Sequence, residues 1–171
     1  QGYARHLPNP RGAAWREAIA RRLLPLLDAA QAEQLRSELA YQAQQDTAAL
    51  PQGVVHADLF RDNVLWQDGR LSGVLDFYFA GEDALLFDLA VAANDWCLDA
   101  AAEAALLSGY ESERPLTVPE RAAWQAMRRA AALRFWLSRL DDFHHPRTGA
   151  VVTVKDPAHF GAMLARLRAG C

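Results

Sequence analysis

Residues 54–79 read VVHADLFRDNVLWQDGRLSGVLDFYF, and the fold turns on them. Val54-Val55, Val64-Leu65-Trp66 and Leu71 to Leu75 are short strand-like runs of β-branched and aromatic residues. Asp68-Gly69 between the last two is a two-residue hairpin signal, because both central residues of such a turn need positive φ. With that turn Gln67 faces Arg70, and Asn63 is expected opposite Val74. Asp76, two residues further along the same strand, then points to the same face as Asn63. Diagonal neighbours of this kind lie roughly 7–8 Å apart. Two oxygen-bearing side chains at that separation can converge on one Mg²⁺, at about 2.1 Å from each.

Helices flank this insert. Residues 12–48 read as two helices broken near Pro25 and Asp28, with Ile19, Leu23, Leu24, Leu27, Leu35 and Leu39 at helical spacing. Pro51-Gln52-Gly53 closes them. From Ala84 onward the pattern is helical again, over 84–98, 101–110, 118–142 and 157–168. Thr117 with Glu120 forms a capping-box pattern before the longest of these, with Pro119 tolerated in its first turn. The expected architecture is mainly α with a small β-hairpin insert: helices over 1–50, the loop and hairpin over 51–79, helices over 80–171.

The 171 residues suit one domain, and 51% hydrophobic with 23% charged residues is an ordinary globular balance. A net charge of −3 favours neither nucleic acid nor an anionic membrane. Cys97 and Cys171 make no disulfide framework and no zinc pattern, which fits a reducing cytoplasm. No apolar run approaches the roughly 20 residues of a membrane span. The opening QGYARHLPNPRG is polar, lacks a starting methionine and is no signal peptide; it reads as a cut inside a longer protein.

The chemistry concentrates in His56-Ala57-Asp58-Leu59-Phe60-Arg61-Asp62-Asn63. His56, Asp58 and Asn63 match the H-x-D-x-x-x-x-N spacing of a kinase catalytic loop. Phosphoryl transfer needs a carboxylate to orient the attacking hydroxyl and accept its proton, which suits Asp58. It needs hard oxygen ligands for Mg²⁺, which suits Asn63 and, in Leu75-Asp76-Phe77, Asp76. His56 is placed in the catalytic group, where it braces the loop.

These residues resemble the aminoglycoside phosphotransferase and choline kinase superfamily, which shares the protein-kinase-like fold. That group replaces the arginine of H-R-D with a small residue, here Ala57, and lacks the D-F-G glycine, here Tyr78. Gly81 to Ala90 looks like its acidic Asp-Leu-Ala helix, in which Asp88 would brace the catalytic loop. Val55 to Cys97, Arg114 to Trp124, Ala130 to Leu140 and Lys155 to Phe160 resemble the bacterial homoserine kinases of that superfamily. The resemblance implies ATP and Mg²⁺, L-homoserine as acceptor, O-phospho-L-homoserine as product and a place in threonine biosynthesis. It implies the C-terminal lobe of the fold. No Gly-rich phosphate loop, strand lysine or matching glutamate occurs, so an N-terminal nucleotide-binding lobe is expected to precede Gln1, and the isolated fragment is expected to be inactive.

A homoserine acceptor presents a carboxylate and an ammonium. An arginine fork suits the first, and Arg134 is the first choice, with Arg139 and Arg61 behind it. Asp83, Asp95 and Trp96 are candidates for the ammonium. Each arginine taken singly has an ordinary alternative as a surface or ion-paired residue, and Trp124 and Trp136 read as core. Competing readings are a kinase for choline, an aminoglycoside or a sugar, and a non-catalytic kinase-like binding module. Joint retention of Asp58, Asn63 and Asp76 argues against the last.

Overall fold

The computed structural model describes residues 6–146 and 155–170. Cys171 and the first five residues of the N-terminal stretch lie outside them. The chain forms two compact units. One holds Asp46–Arg128 with the N-terminal stretch up to Pro10; the other holds Arg11–Gln45 and the chain from Arg129 onward.

The second unit is helical. α1 (Ala13–Leu23) runs into a single 3₁₀ turn at Leu24–Leu26, where Pro25 sits in the first turn. α2 (Ala29–Gln42) starts at Asp28, whose side chain accepts from the Gln31 amide at 2.8 Å. The break expected near Pro25 and Asp28 is therefore built from a proline turn and an N-cap. The second half of α5 (Val118–His144) and α6 (Ala158–Arg168) complete the unit. The stripe of Ala130, Leu133, Leu137 and Leu140 is buried, but so is every residue from Ala130 to Leu137. A helix covered all round is an interior helix rather than an amphipathic cover. Glu38 on α2 is fully buried; Arg129 binds it at 2.6 Å and lies over the Tyr41 ring at 3.4 Å. Trp136 is core, as expected.

The first unit carries the β structure, and here the structure corrects the sequence reading. β1 (Gln52–Val55) does not join the hairpin. It pairs antiparallel with β4 (Gly81–Ala84), in the stretch expected to be helical from 80 onward. Gly-Glu-Asp-Ala carries no strand signal, and its partner is distant in sequence. The N-terminal stretch lies along the outer side of β4, with the Glu82 amide donating to the Leu7 carbonyl at 2.7 Å. Gly81 makes this approach possible: a Cβ there would stand 2.6 Å from the Asn9 Cα.

The hairpin of β2 (Val64–Gln67) and β3 (Arg70–Val74) turns at Asp68 and Gly69, with φ of 50° and 72°. Gln67 faces Arg70 and Trp66 faces Leu71, as the turn requires. The register then shifts, because Ser72 is an extra residue on β3, and Leu65 faces Gly73 while Val64 faces Val74. Asn63 is therefore not opposite Val74; its carbonyl accepts from the Leu75 amide at 2.9 Å. Neither Asn63, in a 3₁₀ turn at Arg61–Asn63, nor Asp76, at φ 64° and ψ 60°, has strand backbone, so the pleat does not set their directions.

α3 (Leu86–Trp96) runs through the middle of this unit, with eight of its residues buried from Leu86 to Asn94, and it packs on α4 (Ala100–Glu113) and on the Arg61–Asn63 turn. The first half of α5 begins at the expected capping box. Glu120, fully buried, accepts from the Thr117 amide and hydroxyl at 2.9 Å and from Arg114 at 2.7 Å. Trp124 is buried and its indole N–H donates to Glu103 at 2.7 Å.

Burial pushes the Glu120 carboxyl up, but the Thr117 amide, the Arg114 guanidinium and the Thr117 hydroxyl outweigh it and hold it below the usual value of 4.5. A depressed folded pKa stabilises above the unfolded value, and that contribution is lost as pH falls through the folded one. Glu120→Ala is expected to cost about 2–3 kcal/mol at pH 7, since it strands a partly buried guanidinium. Urea unfolding at pH 7 and pH 3 checks this: the gap to wild type narrows at the lower pH.

Candidate active site

The site begins where β1 ends. The chain leaves Val55 and turns sharply at Ala57, which is buried and has φ of 63°, a left-handed conformation unfavourable for a residue with a Cβ. Asp88, in the first turn of α3, holds that turn. Its carboxylate oxygens accept from the His56 and Ala57 amides, each at 2.7 Å. Burial raises the Asp88 pKa above its usual 3.8, and the two amides oppose that rise only in part. Asp88 thus meets two backbone N–H groups of this turn with one carboxylate.

Asp58 follows directly. Its amide donates to His56 Nδ1 at 3.2 Å, and its carbonyl accepts from the Asn63 amide nitrogen at 2.8 Å. The Asn63 nitrogen also lies 3.4 Å from an Asp58 carboxylate oxygen. With its nitrogen spent on Asp58, Asn63 keeps Oδ1 as an acceptor.

His56 ties this loop to the other acidic residue. Its Nε2 bonds the Leu75 carbonyl at 2.7 Å, immediately before Asp76. Nε2 therefore donates while Nδ1 accepts from Asp58, which specifies the neutral tautomer. The ring also lies 4.6 Å from that of Phe77, immediately after Asp76. His56 is buried and both its nitrogens are engaged with backbone, so it orients the loop and has no nitrogen left for proton transfer.

The Asp76 residue is exposed, and among the described residues its carboxylate has no hydrogen-bond or ion-pair partner. No cluster of three His, Cys, Asp or Glu that could hold a metal occurs among the described residues. An amide oxygen and an open carboxylate are nevertheless a fitting hard-oxygen pair for Mg²⁺, which keeps several ligands from water and phosphate.

The other candidates separate by place. Asp95 Oδ2 accepts from the Arg61 amide at 2.8 Å and lies 3.3 Å from Arg61 Nε, while the Trp96 indole donates to the Leu59 carbonyl at 3.3 Å. Asp95 and Trp96, at the end of α3, thus meet Arg61 and Leu59 of the loop that carries Asp58. Asp83 is in β4, accepting from Asn9 at 2.6 Å and from the Ala84 amide at 2.8 Å. Arg134 is buried in the second unit with its guanidinium 3.9 Å over the Phe135 ring, and Arg139 is half-buried on the same helix. Sequence reading missed the His56–Leu75 link and the hold of Asp95 and Trp96 on the loop. The signal for the second was available, since positions 88, 95 and 96 share a helix face.

Residues 2–144 match the family model described as the phosphotransferase enzyme family. A homoserine kinase of Methylobacillus flagellatus is 48% identical over 164 residues, covering 92% of this chain and 51% of that protein. One of Polaromonas naphthalenivorans is 45% identical over 173 residues, covering 95% and 55%. The chain spans about half the length of these relatives. Among solved structures, a choline/ethanolamine kinase family protein from Mesorhizobium loti has a TM-score of 0.64 at 20% identity, over 90% of this chain and 53% of that one. An aminoglycoside phosphotransferase, a thermostable mutant in its apo form, has 0.61 at 20% identity, over 92% and 53%. At such identity the structures speak for the fold: this is the kinase-like architecture with small antiparallel sheets.

Replacing Asp88 by alanine leaves two backbone amides without an acceptor, and Asp88→Ala is expected to cost about 2–4 kcal/mol. Asp88→Asn, which keeps one acceptor oxygen, is expected to lose about half of that. Because the folded pKa is raised, folded protein takes up a proton that unfolded chain does not, between the two values. Wild-type stability relative to Asp88→Asn therefore rises as pH falls through that window. Urea titrations of both variants from pH 7 to pH 3.5 measure the sizes and the sign.

Proposed function

We propose that this chain, which belongs to the phosphotransferase enzyme family, is the acceptor- and metal-binding half of an ATP-dependent homoserine kinase acting in the cytoplasm. The observation that carries the reading is the joining of Asp58 to the Asp76 segment by His56 and to Asn63 by the Asn63 side-chain amide, in a chain whose relatives at 45–48% identity are homoserine kinases. The reaction would move the γ-phosphoryl group of ATP to the side-chain hydroxyl of L-homoserine, giving O-phospho-L-homoserine for threonine biosynthesis.

Each residue has a separate task. Asp58 orients the acceptor hydroxyl and accepts its proton as the oxygen attacks. Asn63 Oδ1 and the Asp76 carboxylate would hold Mg²⁺, which when bound neutralises charge on the phosphate oxygens. Asp88 and His56 hold the backbone on which Asp58 sits.

ATP would be held chiefly by a nucleotide-binding lobe belonging to the rest of the protein. The exposed apolar residues of the hairpin and of the turn after Asp76, Leu65, Trp66, Leu71, Leu75, Phe77 and Tyr78, fit a surface such a lobe would cover.

The test is a kinase assay of the full-length protein across L-homoserine, L-serine, L-threonine, choline and kanamycin. L-homoserine is expected to be the best acceptor, and a clear preference for choline or kanamycin defeats this reading. Asp58→Asn is expected to lower turnover about 10²–10⁴-fold with little change in ATP affinity. Asp76→Asn is expected to raise the Mg²⁺ concentration needed for half-maximal rate. The chain alone is expected to show no turnover comparable to the full-length protein, because positioning of the phosphates supplies most of the rate.

A further inference from the structure

We propose that Asp95 and Trp96 are positioning residues of the phosphotransfer site, holding the far end of the loop whose near end is held by Asp88. The inference rests on the phosphotransfer reading and adds to it a second anchor.

Asp88, Asp95 and Trp96 lie seven and eight residues apart on α3, and so face the same side. Between them they bind four backbone groups of one short loop. Asp88 takes the His56 and Ala57 N–H groups, Trp96 donates to the Leu59 carbonyl, and Asp95 takes the Arg61 N–H at 2.8 Å. Asp58 sits between the held residues Ala57 and Leu59. The direction of its carboxylate therefore depends on both ends.

Two ordinary explanations for Asp95 fall short. It lies in the last turn of α3, where a carboxylate meets the negative end of the helix dipole and is unfavourable. Its side-chain pair with Arg61 is solvent-accessible, with the arginine side chain 54% exposed, and such pairs contribute little stability. What remains is the bond to the Arg61 amide, which fixes backbone irrespective of the charge on the arginine. Trp96 is steadied in turn by Trp66 of β2, the ring centroids 6.4 Å apart in an edge arrangement.

The test uses the full-length protein and whichever acceptor the wild type phosphorylates fastest, so that a wrong choice of acceptor fails separately. Asp95→Ala is expected to lower kcat about 10–100-fold, the scale set by a misplacement near 1 Å, with KM for acceptor and ATP within about threefold. Asp95→Asn keeps an oxygen for the Arg61 amide and is expected to recover most of the rate. Trp96→Phe, which removes only the indole donor, is expected to lose less than Asp95→Ala. Amide hydrogen exchange at Arg61 is expected to quicken in Asp95→Ala and to slow again in Asp95→Asn. Unchanged kcat in Asp95→Ala overturns the proposal. So does a tenfold rise in acceptor KM at constant kcat, which would make Asp95 a substrate contact. A wild-type protein that transfers phosphate to none of the acceptors overturns this inference and the functional reading together.

Discussion

Everything at the candidate site hangs on one carboxylate facing two amides. Ala57 takes up a left-handed backbone that costs a residue with a Cβ roughly 1–2 kcal/mol. Each charge-assisted hydrogen bond from Asp88 contributes roughly 1.5–3 kcal/mol, so the pair outweighs that cost. Desolvation of Asp88 works in the opposite direction, as its raised pKa records. The left-handed step takes the chain out of the strand direction of β1 just before Asp58.

Legibility in the sequence followed the range of the interaction. Asp68-Gly69, the helix break near Pro25 and Asp28 and the Thr117–Glu120 box each depend on residues within a few positions, and each stands as read. The strand at Gly81–Ala84 was invisible because its hydrogen bonds go to residues 52–55, and neither its polarity nor its composition marks a strand. The Ser72 bulge was missed for a smaller reason. Strict alternation was assumed through Ser72-Gly73, although a glycine inside a strand is where pairing often slips. One unpaired residue was enough to move Asn63 from Val74 to Leu75 and to void the parity argument for the metal pair.

The site divides along the same line. The spacing of His56, Asp58 and Asn63 is local, and their side chains and backbone do meet. Asp76 is reached through a backbone carbonyl, which no residue type announces. The arginines were least readable, because a guanidinium on a long side chain can reach a partner far off in sequence. Arg61 finds Asp95, 34 positions away, while Arg134, beside two aromatic residues on paper, turns out to be interior.

The two bonds of His56 end on main-chain atoms, the Leu75 carbonyl and the Asp58 amide. Main-chain atoms survive nearly every codon change. Position 75 can therefore drift among residue types without unlatching the two acidic positions from each other, and only a proline at position 58 would delete the donor outright. A latch blind to its neighbours' side chains leaves the surrounding residues free to change while Asp58 and the segment of Asp76 keep their connection.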